Sequence, residues 1–180
     1  DFITPKSEVS RLFRDAVLAL AKRHGFARTL VNSGRLSVPS TLRDSSLNTP
    51  VPDGACHRIV PGAPATDAPV RLPDGRPSWL LRQLGPDFTA LVFVDGHESR
   101  YLASLRDAAG ARGQLKVLAV ARIPDVDADL IDAEGLVAKR YEMQPGSVLL
   151  LRPDQHVCAR GSLSDPGWLD SALQRALAVH

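Results

Sequence analysis

At 180 residues the chain has room for one well-cored domain and an extension, but not for two full domains, because a chain of this size buries roughly two thirds of its unfolded surface. A hydrophobic fraction of 44% and a charged fraction of 23% exclude a disordered chain, and a net charge of +2, from 22 Lys and Arg against 20 Asp and Glu scattered along the sequence, excludes a field that gathers nucleic acid. No apolar run approaches the roughly 20 residues of a bilayer span and no charged-then-apolar secretion signal opens the chain, so no membrane partner and a cytoplasmic location are expected.

The opening stretch, Thr4-Pro5-Lys6-Ser7-Glu8, carries capping residues, a proline and an early acid, all favourable at a helix start. Val9, Leu12, Phe13, Ala16, Val17 and Leu20 then recur at helical spacing, and Gly25 follows as a stop, which predicts an amphipathic helix with a strong apolar stripe. Because the chain enters this helix almost at once from Asp1, it reads as a piece cut from something longer. From Arg28 to Gly75 the sequence is dense in Pro, Gly, Ser, Asn and Asp, the composition of an arm laid over a neighbouring surface. A boundary is placed near Asn48 to Pro52, giving a helix and arm over 1-50 and a domain over 51-180.

Beyond it the pattern alternates. Ser78 to Leu84 predicts a short helix, Thr89 to Val94 a buried strand, Glu98 to Ala109 a helix and Gln114 to Ile123 a second strand. Continuous apolar runs such as "TALVFV" suit strands covered on both faces of a layered α/β sheet. Leu136 to Tyr141 predicts a short helix, Pro145-Gly146 a turn and Ser147 to Arg152 a strand. Pro153-Asp154-Gln155 turns the chain into a strand from His156 to Arg160, and Asp165 to Val179 closes it as a helix with Trp168, Leu169, Leu173 and Leu177 on one side. The order β, α, β, α, hairpin, helix is a thioredoxin-like α/β arrangement: a central sheet flanked by helices, preceded by the N-terminal helix and extended arm.

A thiol enzyme of that fold needs its cysteine just after the first core strand, where a helix N-terminus lowers the thiol pKa. Here that place reads "VDGHESRYLAS", Val94 to Ser104, without a cysteine. The proline that thioredoxins hold before the final hairpin also has no counterpart: Ser147 falls at its place and Pro145 lies two residues early. The two cysteines, Cys56 and Cys158, are far apart and form neither a CxxC pair nor a metal-ligand cluster with the histidines, so reduced thiols are expected. Cys56 beside His57 reads as a loop residue, since sequence neighbours need not face each other, and Cys158 as core filler in a strand. His97 reads as a loop or capping residue at the strand end. "DVDADLIDAEG", Asp125 to Gly135, fails the calcium-loop pattern because Leu130 stands where glycine is required, and it reads as a turn leading into packed structure. Arg152 and Asp154 around Pro153 are read as the brace of a type I turn. There is no GxGxxG, P-loop, nucleophile elbow or zinc motif, so no catalytic, cofactor-binding or metal-binding residue is assigned.

Three segments, "SRLFRDAVLALAKRHGFARTLVNSGRLSVPS" (Ser10 to Ser40), "PGAPATDAPV" (Pro61 to Val70) and "LLLRPDQHVCAR" (Leu149 to Arg160), together resemble the C-terminal third of FAD-dependent aromatic-ring monooxygenases of the phenol hydroxylase and 3-(3-hydroxyphenyl)propionate hydroxylase type. The resemblance implies that Ser7 to His24 is the last long helix of an FAD-binding part, that Phe26 to about Pro50 is the arm leaving it, and that the remainder is a thioredoxin-like domain without thioredoxin activity, often placed at subunit contacts. It also implies FAD and NAD(P)H as cofactors of a full-length parent, with none held by this chain, and either a homodimer or the missing FAD-binding domain as partner. The family's second FAD motif, Gly-Asp-Ala-x-His, is absent. Gly161 stands where members often have tryptophan, from which looser packing of the last hairpin is expected. Two other readings remain open: an independent thiol enzyme of the peroxiredoxin or glutathione-dependent kind using Cys56, and a binding module for aromatic ligands.

Overall fold

The computed structural model describes residues 4–27, 39–51, 59–124, 126–165 and 167–178. The chain divides into two units, Asp1–Pro39 and Ser40–His180. In the first, helix α1 (Glu8–Arg23) begins at Ser7, whose hydroxyl accepts the Ser10 N–H at 3.2 Å. Glu8 in its first turn and Lys22 and Arg23 in its last complement the helix dipole. No residue of α1 is buried; Val9, Leu12 and Phe13 are 78%, 73% and 65% exposed, so the apolar stripe read from the spacing stands open at these positions.

The second unit is built on seven strands in the order β2-β1-β5-β4-β3-β6-β7. In chain order its elements are β1 (Pro69–Arg71), β2 (Pro77–Trp79), α2 (Leu80–Gln83), β3 (Phe88–Val94), α3 (Ser99–Arg112), β4 (Leu115–Ala121), β5 (Leu130–Ile131), α4 (Leu136–Tyr141), β6 (Ser147–Leu151), β7 (Val157–Ser162) and α5 (Gly167–Ala176). β3 and β4 pair in parallel from Phe88 opposite Leu115 to Val94 opposite Ala121, with α3 as the crossover. β6 and β7 form the antiparallel hairpin on the other side of β3.

Every residue of β3 is buried, because the sheet is covered on both faces. Ala90, Val92 and Val94 pack with Leu102, Ala109, Val148, Leu150, Leu169 and Leu173 on the side of α3 and α5. Leu91 and Phe93 pack with Leu80, Val120, Val137, Tyr141 and Leu149 on the opposite side. This is the alternation of a two-sided buried sheet, and it gives the continuous apolar runs of β3 and β4 their physical reason.

Several boundaries differ from the sequence reading. Ser78 to Leu84 is not one helix: Ser78 and Trp79 belong to β2, paired with β1 through Val70 opposite Ser78, and only Leu80–Gln83 is helical. The cause is the Leu72–Arg76 turn, in which Gly75 (φ +85°) donates to the Leu72 carbonyl and Leu72 donates to that of Arg76, which folds the two short strands together. α3 runs on to Arg112, and Gly113 in the left-handed region (φ +68°) ends it. The "DVDADLIDAEG" stretch holds β5, whose Leu130 and Ile131 are buried.

Gly161 does not loosen the last hairpin. The Trp168 ring of α5 lies against it, so close that a Cβ on residue 161 would fall 2.2 Å from the ring. The Trp168 indole N–H donates to the Ser162 carbonyl at 2.8 Å. The missing bulk at position 161 is therefore supplied from the neighbouring helix.

The outer edge of β7 is not bare. Val157 donates to the Ala63 carbonyl at 2.9 Å and accepts from Gly62 at 2.7 Å, while the Cys158 carbonyl accepts from Thr49 at 2.8 Å. Part of the Pro- and Gly-rich tract is thus laid along the edge strand and satisfies its backbone groups. Asn48, 7% exposed, anchors this cover by donating its side-chain amide to the Leu42 carbonyl at 2.7 Å.

Candidate functional site

In a βαβ sheet the ligand-holding edge lies at the carboxyl ends of the parallel strands. Here that edge begins at Asp95-Gly96-His97-Glu98, between β3 and α3. The Asp95 N–H donates to Glu98 Oε2 at 3.0 Å, the His97 N–H to Asp95 Oδ1 at 3.2 Å, and the Ser99 hydroxyl to the Gly96 carbonyl at 2.9 Å. The loop leading into α3 is thus bonded to its own carboxylates, and the segment holds no thiol. His97 is exposed and acts through its backbone, as a loop residue.

The acidic run beside this edge braces the fold. Arg106 of α3 pairs with Asp127 at 2.9 Å and Asp129 at 3.1 Å, and Asp129 also accepts the Ala119 N–H at 2.7 Å. Asp132, fully buried, accepts the N–H groups of Val137 at 3.1 Å and Ala138 at 3.0 Å and so caps α4. Sequence reasoning missed this cap; an aspartate a few residues before an apolar helical run was its signal. Among the described residues no group of three or more His, Cys, Asp and Glu side chains is placed to hold a metal ion.

The His156 and Cys158 pair belongs to a hairpin corner. Arg152 donates to the His156 backbone carbonyl at 2.8 Å, and Gln155 donates to that of Arg152 at 2.9 Å. Arg152 reaches over Pro153 to form a double hydrogen bond with the Asp154 carboxylate, which also accepts the His156 N–H at 3.1 Å. Burial works against the charged form of Asp154, but the hydrogen bond and positive charge of Arg152 and the hydrogen bond from the His156 N–H hold its carboxyl below the usual value.

Cys158 is the extra residue of a bulge: Leu150 faces Ala159 and Leu151 faces Val157, so the register steps over it. Its side chain is fully buried, with Sγ 3.4 Å from the Leu150 carbonyl oxygen, and burial pushes the thiol up to about 12. A nucleophilic cysteine needs the opposite shift. Cys56 and His57 lie outside the described residues.

Behind the sheet edge a pocket of about 100 Å³ opens between α3, the β6–β7 end and α5, lined by Tyr101, Ser104, Leu105, Ala108, Val148 and Trp168 among others. Sequence reasoning did not assemble it, because its walls come from three elements far apart in the chain.

These elements define a thioredoxin-like α/β domain: a parallel β3-α3-β4 unit, an antiparallel hairpin beside β3, a terminal helix, and no cysteine at the position where the fold's redox chemistry is carried out. No family model matches the chain, and no curated protein matches it. Solved structures do. The flavin-dependent monooxygenase PieE, solved with FAD and substrate, is 24% identical with a TM-score of 0.59 over 99% of this chain. Aklavinone-11 hydroxylase, solved with FAD and aklavinone, is 23% identical with a TM-score of 0.57 over 74% of it. A thiol peroxidase from Chromobacterium violaceum is 14% identical with a TM-score of 0.56; the match covers 67% of this chain and 89% of the peroxidase. The chain spans 31% of the length of PieE and 25% of that of aklavinone-11 hydroxylase. At these identities the likeness establishes the fold.

Proposed function

We propose that this chain is the non-catalytic C-terminal part of a flavin-dependent aromatic hydroxylase, with a structural and self-association role. The observation that carries the reading is the extent of the match: similarity to PieE runs over 99% of the chain, whereas similarity to the thiol peroxidase stops at 67%. The parent reaction is ring hydroxylation of a phenolic substrate driven by NAD(P)H and O2, in the cytoplasm. Among the described residues no helix is long and apolar enough to cross a membrane.

FAD does not fit the described residues of this chain. A dinucleotide pyrophosphate is held by a glycine-rich turn opening a helix after a parallel strand. The corresponding turn here, between β3 and α3, holds the Asp95 and Glu98 carboxylates against its own backbone, where they would repel a phosphate. The flavin chemistry belongs to protein outside this chain, and no step of it is assigned to a residue here. The role of these residues is mechanical: α1 offers an apolar stripe to a partner, either the FAD-binding part or a second copy.

The test is an FAD titration of the purified chain, followed by flavin absorbance and fluorescence, with the mass read by light scattering in the same samples. Absence of flavin binding together with a stable dimer is expected. Tight stoichiometric binding would overturn the reading, and peroxide turnover that disappears in Cys56→Ser would replace it with a thiol enzyme.

A further inference from the structure

We propose that the pocket between α3 and α5 is a binding site for a small, neutral, single-ring aromatic molecule carrying a hydroxyl group. Five residues of α3 line it, Tyr101, Ser104, Leu105, Ala108 and Arg112, at helical spacing on one face. Ser104 and Ala108 are small where the rest of that face is large, and this is what makes the recess. Val148 joins from β6, Ser162 from the end of β7 and Leu163 just beyond it, and Trp168, Leu169 and Asp170 from the first turn of α5.

Three features select the occupant. The first is shape. At about 100 Å³ the pocket is smaller than the engineered apolar cavity of roughly 150 Å³ that encloses benzene, so it seats a single ring with one edge left at its open mouth and has no space for two. Its aromatic walls are Tyr101 and Trp168, and Trp168 is held in place by its N–H bond to Ser162 at 2.8 Å and by the absence of a side chain at Gly161. The wall is therefore set before a ligand arrives, which lowers the ordering cost of binding.

The second feature is charge. The ionic groups at the rim neutralise each other, with Arg112 on Asp170 at 2.5 Å, so a charged ligand would find no unmatched partner. The third is the Ser104 hydroxyl, which lies one turn from Tyr101 on the same face of α3 and gives a ring hydroxyl a polar group to meet. This inference rests on the pocket alone and is independent of which longer protein the chain belongs to.

The experiment is a ¹⁹F titration of the whole chain with 4-fluorophenol and, separately, fluorobenzene, alongside amide and indole spectra of ¹⁵N-labelled protein. Saturable binding of 4-fluorophenol is expected, with a dissociation constant on the order of 0.1–1 mM for a probe of this size. The indole N–H of Trp168 should shift and that of Trp79 should not. Ala108→Leu, which fills the recess from a half-buried position of α3, should weaken binding at least tenfold. Ser104→Ala should bring the two probes to equal affinity while leaving fluorobenzene unchanged. No saturable binding below 10 mM, a Trp168 signal that stays in place, or affinity unaffected by Ala108→Leu would overturn the site. A preference for 4-fluorophenol that survives Ser104→Ala would overturn the role given to the hydroxyl.

Discussion

Gln155 closes the β6–β7 turn with φ +63°, a backbone conformation that costs an L residue about 1–2 kcal/mol and glycine little. Gln155→Gly is expected to stabilise the chain by about 0.5–1 kcal/mol, read as a higher urea midpoint, because the greater freedom of glycine in the unfolded chain offsets part of the relief. Gly161→Ala is the opposite case. The new methyl would meet the Trp168 ring, and a loss of about 1–3 kcal/mol with a red-shifted tryptophan emission is expected. Cys158 couples stability to alkaline pH. Its thiol is raised in the folded state from about 9 to about 12, so the folded form holds a proton that the unfolded form has released. Stability from this group is complete below about pH 9 and falls as pH rises towards 12, and Cys158→Ala should flatten that limb. Asp154 works on the acid side: its carboxyl is held low in the folded state, so its contribution is present above the ordinary carboxylate range and lost as pH falls below it. Asp154→Asn should remove that slope from urea midpoints measured between pH 2 and 6. The Arg152 and Asp154 brace was legible because turn chemistry is local. The contact of Trp168 with Gly161 was not, because nothing in either residue's neighbourhood in sequence points to the other.

At the scale of elements, legibility followed length and continuity. β3 and β4, each seven residues and interrupted only by Thr89 and Lys116, could be read directly, and so could α1 from its stripe and caps. β1 and β2 are three residues each and carry Pro69 and Pro77, so their alternation is too short to register, although the Pro73-Asp74-Gly75 turn between them was a usable signal. β5, two residues long, is defined by its pairing with β4 and β1, and no periodicity can exist over that length. α4 is six residues, short of what a helix needs to stand alone, and depends on the buried Asp132 cap. Asp132→Ala would leave two N–H groups without their acceptor, and a loss of about 1–3 kcal/mol in urea unfolding is expected. For α1 the prediction concerns association: Leu12→Ser combined with Phe13→Ser should lower the mass seen by light scattering towards that of the single chain, with the helical circular dichroism retained.

For the molecule as a whole, the class of fold was legible because the order of elements is itself a constraint: a parallel βαβ crossover has one hand, and a hairpin and helix then have few places to go. What a sheet-covered domain of this kind does is less legible, since its chemistry lies in side chains at one edge and here those of Asp95, Glu98 and Ser99 bond to the backbone of their own loop. The absence of a cysteine after β3 is visible in the sequence alone, and the buried, raised thiol of Cys158 agrees with it from the other direction. At pH 8, a Cys56→Ser variant should give no reaction of Cys158 with a disulfide reagent until urea unfolds the chain.

The cover along β7 bears on how shortened versions of this protein will behave. A fragment begun at Pro69 would lose Thr49, Gly62 and Ala63, leaving the Val157 amide and the Val157 and Cys158 carbonyls pointing into solvent. Such a strand is a template for a neighbouring chain, and the fragment should precipitate on concentration. A fragment begun at Ser40 keeps those residues and should remain monodisperse. The choice of first codon, a practical matter of cloning, thus decides between a sample fit for crystallisation trials and one lost to the pellet.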